Sequence, residues 1–198
     1  YVDGGSGNDV IRVIDTWGSG IFGNATFYRR GGVGNDRFEL QGTQQNVLGT
    51  ANGAQLIGGA GFDTLQWNGR YNLTIDGCQN PALGGVQGYK QELKVSDVEV
   101  IDLAGSGVTG LGVRFSAQDV AAITAGSDFD RASLGLGLSG TGNALLLNAG
   151  ANSVDVSGWG PALGGAVVDG REYGIYQSGS TLLGVLSNLT LTGTAQND

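Results

Sequence analysis

A six-residue glycine–aspartate phrase recurs three times at a fixed interval. Gly4-Gly5-Ser6-Gly7-Asn8-Asp9 returns as Gly31-Gly32-Val33-Gly34-Asn35-Asp36 and as Gly58-Gly59-Ala60-Gly61-Phe62-Asp63, with the starts 27 residues apart. Each copy carries a large apolar residue two places after its aspartate: Ile11, Phe38 and Leu65. The pattern is GGxGxDxUx, where U is a large apolar residue. A repeat this short cannot bury an apolar face alone. It constrains the chain to stack neighbouring copies.

The residue types suit a hard cation. Glycine reaches positive φ without a Cβ clash, so closely spaced glycines make tight bends and leave carbonyl oxygens able to converge. Calcium takes 6–8 oxygen ligands from carboxylates and backbone carbonyls. The aspartates supply charge at a fixed offset from those carbonyls, and the apolar residue two places on shares their strand face. Calcium is therefore the expected ligand. The candidate metal-binding residues are Gly5, Gly7, Asn8 and Asp9; Gly32, Gly34, Asn35 and Asp36; Gly59, Gly61 and Asp63; and Asp3 and Asp198 in the flanking segments. Ile11, Phe38 and Leu65 are expected to stack inside.

A step of 27 residues is three nonapeptides. A roll of nine-residue half-turns places loops 18 apart on one edge, so successive copies are expected to alternate edges, with worn copies such as residues 49–54 between them. Alternatively, residues 12–30 and 39–57 leave the roll as hairpins. Alternating edges imply fewer ions than an unbroken array holds, about one to four in all.

Composition excludes several classes. Glycine is 39 of 198 residues, yet there are only two prolines, and collagen needs both in a strict period. Hydrophobic residues make up 40% and charged ones 14%, which argues for a folded chain. The net charge of −8 excludes electrostatic binding of nucleic acid or an anionic membrane. Fourteen acidic residues are Asp and four are Glu, a preference that suits turns and cation binding. Like charges repel until cations bind, so folding is expected to couple to calcium. Histidine is absent and Cys78 stands alone, so neither a histidine general base nor an internal disulfide is available. No apolar run approaches the ~20 residues that span a bilayer.

The chain reads in three parts: a repeat block at 1–76, a β-rich module at 77–190, and the start of a further repeat at 191–198. Strands are expected at 10–14, 25–28, 37–40, 64–67 and 72–75, then at 144–147, 153–156, 172–176, 181–186 and 189–192. Ser116-Ala117-Gln118-Asp119 before Val120-Ala121-Ala122-Ile123 reads as a short capped helix. Trp159, Tyr173 and Tyr176 are read as core aromatics rather than a binding platform. Asp97, Glu99 and Asp102 are read as a solvated strand face. Residues 193–198 followed by Tyr1-Val2-Asp3 make one nonapeptide in register with Gly4, so the segment is expected to belong to a longer array.

With these motifs in hand, the chain resembles bacterial RTX-type secreted proteins, and in particular a module of large surface adhesins and S-layer-like proteins. The resemblance rests on the glycine turns, on Val98-Glu99-Val100-Ile101-Asp102-Leu103, on Phe115-Ser116-Ala117-Gln118-Asp119-Val120, and on Leu145-Leu146-Leu147-Asn148, Trp159 and Tyr173-Gly174-Ile175-Tyr176. It implies an all-β fold: a right-handed parallel β-roll or β-helix with calcium turns, followed by a β-rich domain with one short helix. It also implies type I secretion and calcium-triggered folding outside the cell. The family module often has aspartate where this chain has Asn148 and Asn152, which weakens any calcium site there.

The leading expectation is a non-enzymatic, calcium-stabilised structural module of an extracellular or cell-surface protein. Its partners would be calcium and further repeats of the parent chain, with self-assembly into a lattice or fibre as an extension. Two alternatives remain open. One is an accessory domain of a secreted hydrolase; the other is a calcium-dependent glycan-binding module in which Trp159 and Tyr173 stack on a sugar. The segment has no Gly-x-Ser-x-Gly elbow and no His-Glu-x-x-His motif.

Overall fold

The computed structural model describes residues 1–15, 28–42, 55–68, 74–75, 92–107, 109 and 112–193. The described chain is mostly β. Its strands are β1 (Val2–Ser6), β2 (Val10–Asp15), β3 (Tyr28–Val33), β4 (Arg37–Gly42), β5 (Gln55–Ala60), β6 (Thr64–Trp67), β7 (Thr74–Ile75), β8 (Glu92–Ser96), β9 (Val100–Asp102) and β10 (Gly112–Arg114). After helix α1 (Ala117–Ile123) come β11 (Ala144–Asn148), β12 (Ser153–Asp155), β13 (Ala162–Val168), β14 (Arg171–Ser178), β15 (Thr181–Leu186) and β16 (Leu191–Thr192).

Three sheets form. One runs β1-β3-β5-β8-β7, another β10-β12-β16, and the largest β13-β14-β15-β11-β9-β6-β4-β2. The first two are parallel throughout. The third is parallel from β2 to β15 and antiparallel at β13-β14-β15.

Register corrects the expectation of alternating edges. Gly5 pairs with Gly32, and Gly32 with Gly59. Ile11 pairs with Phe38, and Phe38 with Leu65. The offset is 27 at each of these steps, so all three glycine turns stack on one edge. The worn copy proposed at 49–54 lies outside the described residues, as do Cys78 and Asp198.

The turns are also shorter than the motif suggests. Gly4-Gly5-Ser6 belongs to the end of β1, and its equivalents end β3 and β5. The bend itself is Gly7-Asn8-Asp9 and its copies. Both later glycines of each motif have positive φ, between 92° and 135°, where side-chain-bearing residues are strained.

The interior follows the register. Ile11, Phe38, Leu65, Ile101, Leu147 and Val185 form one continuous buried column through six strands. The expected stack of three therefore runs twice as far. A single core cluster extends from Ile11 to Val185 and includes Trp67, Phe115, Trp159 and Tyr176. Its residues come from both sides of residue 77, from the repeat block and from the β-rich module. A second cluster lies on the other face of β9, β11 and β15, where Phe129, Leu134 and Tyr173 cover Val100 and Leu146.

The helix forms as read. The Ser116 hydroxyl accepts from the Asp119 N–H and the Asp119 carboxylate accepts from the Ser116 N–H, a reciprocal cap. Val120 and Ile123 are fully buried. Trp159, Tyr173 and Tyr176 are core residues, and the Trp159 indole donates to the Phe115 carbonyl at 2.8 Å.

Candidate metal centre along the acidic column

The 27-residue register lines up the turn acids. The Asp9 N–H donates to Asp36 Oδ1 at 2.8 Å, and the Asp36 N–H donates to Asp63 Oδ1 at 2.7 Å. The next rung breaks the interval. The Asp63 N–H donates to Glu99 Oε2 at 2.7 Å, 36 residues on. A second ladder runs beside it in the opposite sense. The Asn35 N–H donates to Asn8 Oδ1 at 2.8 Å, and the Phe62 N–H donates to Asn35 Oδ1 at 3.0 Å.

Glu99 is the residue that sequence reading missed. Ser96 pairs with Ile57 and Val100 with Thr64, so three residues, Asp97-Val98-Glu99, replace the six of Gly58 to Asp63. Glutamate is one methylene longer than aspartate and spans the shorter turn. The signal in the sequence is the tail of the motif: Glu99-x-Ile101 keeps the acid and the apolar residue of Asp63-x-Leu65, while the glycine half has gone. The solvated-face reading of Asp97, Glu99 and Asp102 is thereby corrected. Glu99 is fully buried and Asp102 nearly so. Asp102 holds Arg171 at 3.0 Å and accepts from the Asn148 amide at 3.0 Å. Asp97 sits at φ 54°, at the point where the glycine turn has been cut short.

Asp36, Asp63 and Glu99 each accept their rung through one carboxylate oxygen. Their second oxygens, Asp36 Oδ2, Asp63 Oδ2 and Glu99 Oε1, are buried with no hydrogen-bond partner, as are Asp9 Oδ2 and Asp97 Oδ1. Only one other described side-chain atom, Arg131 Nε, shares that condition. Burying a charged oxygen unpaired is costly, so five in one region need an account.

Backbone carbonyls lie beside Asp9 Oδ2, Asp36 Oδ2 and Asp63 Oδ2. A Cβ built on Gly4 would lie 2.8 Å from Asp9 Oδ2 and 2.4 Å from the Gly31 carbonyl oxygen. On Gly31 it would meet Asp36 Oδ2 at 2.3 Å and the Gly58 oxygen at 2.6 Å. On Gly58 it would meet Asp63 Oδ2 at 2.5 Å and the Asp97 oxygen at 1.7 Å. The first glycine of each motif thus lets a carboxylate of its own coil and a carbonyl of the next approach the same point.

The electrostatics agree. Burial pushes the Asp63 carboxyl from an ordinary 3.8 up to about 7; the donated Asp36 N–H opposes this, and the charges of Glu99, Asp36 and Asp97 add to it. Burial likewise raises Asp36, Asp97 and Glu99. Without a counter-cation Asp36, Asp63, Asp97 and Glu99 hold their protons more tightly than free carboxyls do.

The remaining expected ligands divide. Asn8 and Asn35 are ladder rungs whose Oδ1 atoms are already engaged. Gly7, Gly34 and Gly61 open the bends, and Gly5, Gly32 and Gly59 lie at the strand ends before them. Asp3 is exposed, accepting from the Tyr1 hydroxyl at 2.7 Å and the Gly5 N–H at 3.1 Å, and stands outside the column. Among the described residues no three His, Cys, Asp or Glu side chains converge as a metal cluster. A cation here would draw on backbone carbonyls as well, which is calcium's habit and not zinc's. Half-used carboxylates beside carbonyls fit that donor set.

Asn148 and Asn152 are buried and bonded within the protein, the Asn152 amide to the Ala149 carbonyl at 2.9 Å. The buried Trp159 and Tyr173 rings have no free face for a sugar. A polar recess of about 270 Å³ lies between β6, β9 and the β13–β14 hairpin. Its two guanidiniums, Arg37 and Arg171, are paired with Glu39 and Asp102. No helix among the described residues is long and apolar enough to cross a membrane. No protein-family model, curated protein or solved structure matches this chain.

Proposed function

We propose that this chain is a calcium-stabilised structural module of an extracellular or cell-surface bacterial protein, built as a right-handed parallel β-roll of the RTX kind. The carrying observation is the column of buried, unpartnered carboxylate oxygens on Asp9, Asp36, Asp63 and Glu99, the first three beside the carbonyls of Gly31, Gly58 and Asp97. These side chains and carbonyls hold the cation. When bound, calcium supplies the positive charge that the column lacks. The protein's own part is to fix the turns by the Asp and Asn ladders and to stack the coils over one continuous core. The product is a stiff spacer whose ordering depends on external calcium in the millimolar range.

Equilibrium dialysis against millimolar calcium tests this reading. The chain is expected to retain calcium, and the count of one to four ions that followed from alternating edges no longer applies. Glu99→Gln keeps the shape and the accepting oxygen but removes a charge, and is expected to weaken uptake without unfolding the chain. Retention of no calcium by the intact protein would overturn the proposal.

A further inference from the structure

The outer face of the eight-stranded sheet carries a groove that the acidic column does not use. β14 folds back over β9: the Arg171 guanidinium meets Asp102 at 3.0 Å, and Ala166 and Tyr173 pack with Val100. Beside this hairpin, over β4 and β6, lie two recesses of about 270 Å³ and about 520 Å³. Both are lined by Arg37, Phe62, Thr64, Val168 and Asp169, so they adjoin. Together they run from Asn8, in the turn before β2, to Asp102 on β9. That path crosses three strand pairings, about 14 Å at the ordinary spacing of strands. Recesses of this size take a drug-sized ligand.

The wall is held firmly. Asp169 and Gly170 form the two-residue turn between β13 and β14, with φ 48° and 72°. Two positive φ values in such a turn match the type I′ geometry that suits a twisted hairpin. At the turn end of the groove, the Phe62 ring packs on Phe129 at 5.4 Å and borders both recesses.

The repeat changes its residue types where it floors this groove. The place before the turn acid is Asn8, then Asn35, then Phe62. The aromatic ring ends the Asn ladder and brings an apolar surface to the groove. On the strands that follow, Arg12, Arg37 and Glu39 form ion pairs across β2 and β4. On β6 the places of Arg37 and Glu39 are taken by Thr64 and Gln66. Among the described residues, the Thr64 hydroxyl and the Asp169 carboxylate have no hydrogen-bond partner. Gln66 donates one amide N–H to Asn68 at 3.2 Å, which leaves its carbonyl oxygen to accept. Arg37 engages Glu39 through one terminal nitrogen at 2.8 Å, and its other N–H groups remain.

From this arrangement we infer that the groove binds a short, uncharged oligosaccharide. Separate donors and acceptors along a polar floor suit hydroxyl groups, and the Phe62 ring suits the C–H face of a sugar. An extended peptide fits less well. β4, β6, β9 and β14 each pair on both sides, so the floor and wall offer no free ladder for a main chain. A polyanion fits less well too. Arg37 and Arg171 are already paired with acids, Asp169 stands beside them, and the chain carries a net charge of −8. This adds a binding role to that of a spacer, and it rests on the groove side chains and not on bound calcium.

The test titrates the intact chain with cellohexaose, laminarihexaose, maltohexaose and xylohexaose in millimolar calcium, read by amide NMR. At least one of them is expected to shift the Phe62, Thr64, Gln66 and Asp169 amides. Thr64→Val with Gln66→Leu keeps the side-chain shapes and removes the polar groups, and should weaken binding by about tenfold or more. The β11 and β15 amides should stay unchanged in that variant, which separates lost binding from lost folding. No shift at the groove amides with any of the four at about 10 mM overturns the inference. So do shifts that only a hexauronate or an unstructured hexapeptide produces, which would assign the groove to an acidic glycan or to a protein partner. Equal affinity in the double variant overturns it as well. Saccharide binding by a chain that takes up no calcium would support the groove and defeat only the calcium reading.

Discussion

Gly31→Ala is expected to cost about 3 kcal/mol of folding free energy or more, read as a fall in the denaturation midpoint. Gly31 lies outside the left-handed region, so the cost is one of space. Its new methyl would stand 2.3 Å from Asp36 Oδ2 and 2.6 Å from the Gly58 oxygen. Neither can withdraw easily. Asp36 is held by its other oxygen to the Asp9 N–H, and Gly58 lies within β5. Gly5→Ala is the control. Nothing lies within 4 Å of its Cβ, so only the strain of φ 92° remains, about 1–2 kcal/mol. Equal costs at the two sites would show that crowding by the acidic column is not what selects the first glycine.

The second large effect concerns pH. In EGTA the protein is expected to lose stability as pH rises from about 4 to about 8. The sign follows from the raised acids. Asp63 titrates near 7 in the folded chain against an ordinary 3.8, so between those values the native state holds a proton that the unfolded state has released. Stability therefore falls across that window and levels off above it. For Asp63 alone the displacement caps the loss at roughly 4 kcal/mol. Burial of Asp36, Asp97 and Glu99 acts in the same direction. Calcium should flatten the profile, because a bound cation takes the place of the protons, and its affinity should rise with pH over the same range. Chemical denaturation at a series of pH values, with and without calcium, reads both trends. An EGTA profile that rises from pH 4 to 8 would contradict the unpaired column.

Much of this arrangement is legible in the sequence, because one motif carries both the bend and the interior contact. The glycine phrase marks the turns, and the apolar residue after each aspartate marks the interior column through Ile11, Phe38 and Leu65. The reciprocal cap of Ser116 and Asp119 announces the helix before Val120. The placing of the turns is harder to read, since a spacing of 27 fits turns on one edge or on alternate edges, and only pairing decides between them. Gly4 and Gly31 read as turn residues but lie in strands, because carboxylates and carbonyls crowd the place where a side chain would go. β13 passes unread for a related reason: Gly164-Gly165 interrupts its alternation at a register shift. Glu99 hides because its glycines are gone and the rung lies 36 residues from Asp63. Only the acid and its apolar follower survive, and many surface strands carry such a pair.

Thermal unfolding of the unaltered 198-residue chain, in millimolar calcium and again in EGTA, bears most directly on the acidic column as a cation site. A single site held at a hundred times its dissociation constant adds about 2.7 kcal/mol. For a chain of this size that is a midpoint roughly 5–10 °C higher in calcium, and more if several turns fill. Midpoints that coincide in the two buffers would mean that Asp9, Asp36, Asp63 and Glu99 bear their unpartnered oxygens without the ion, and the account would fail.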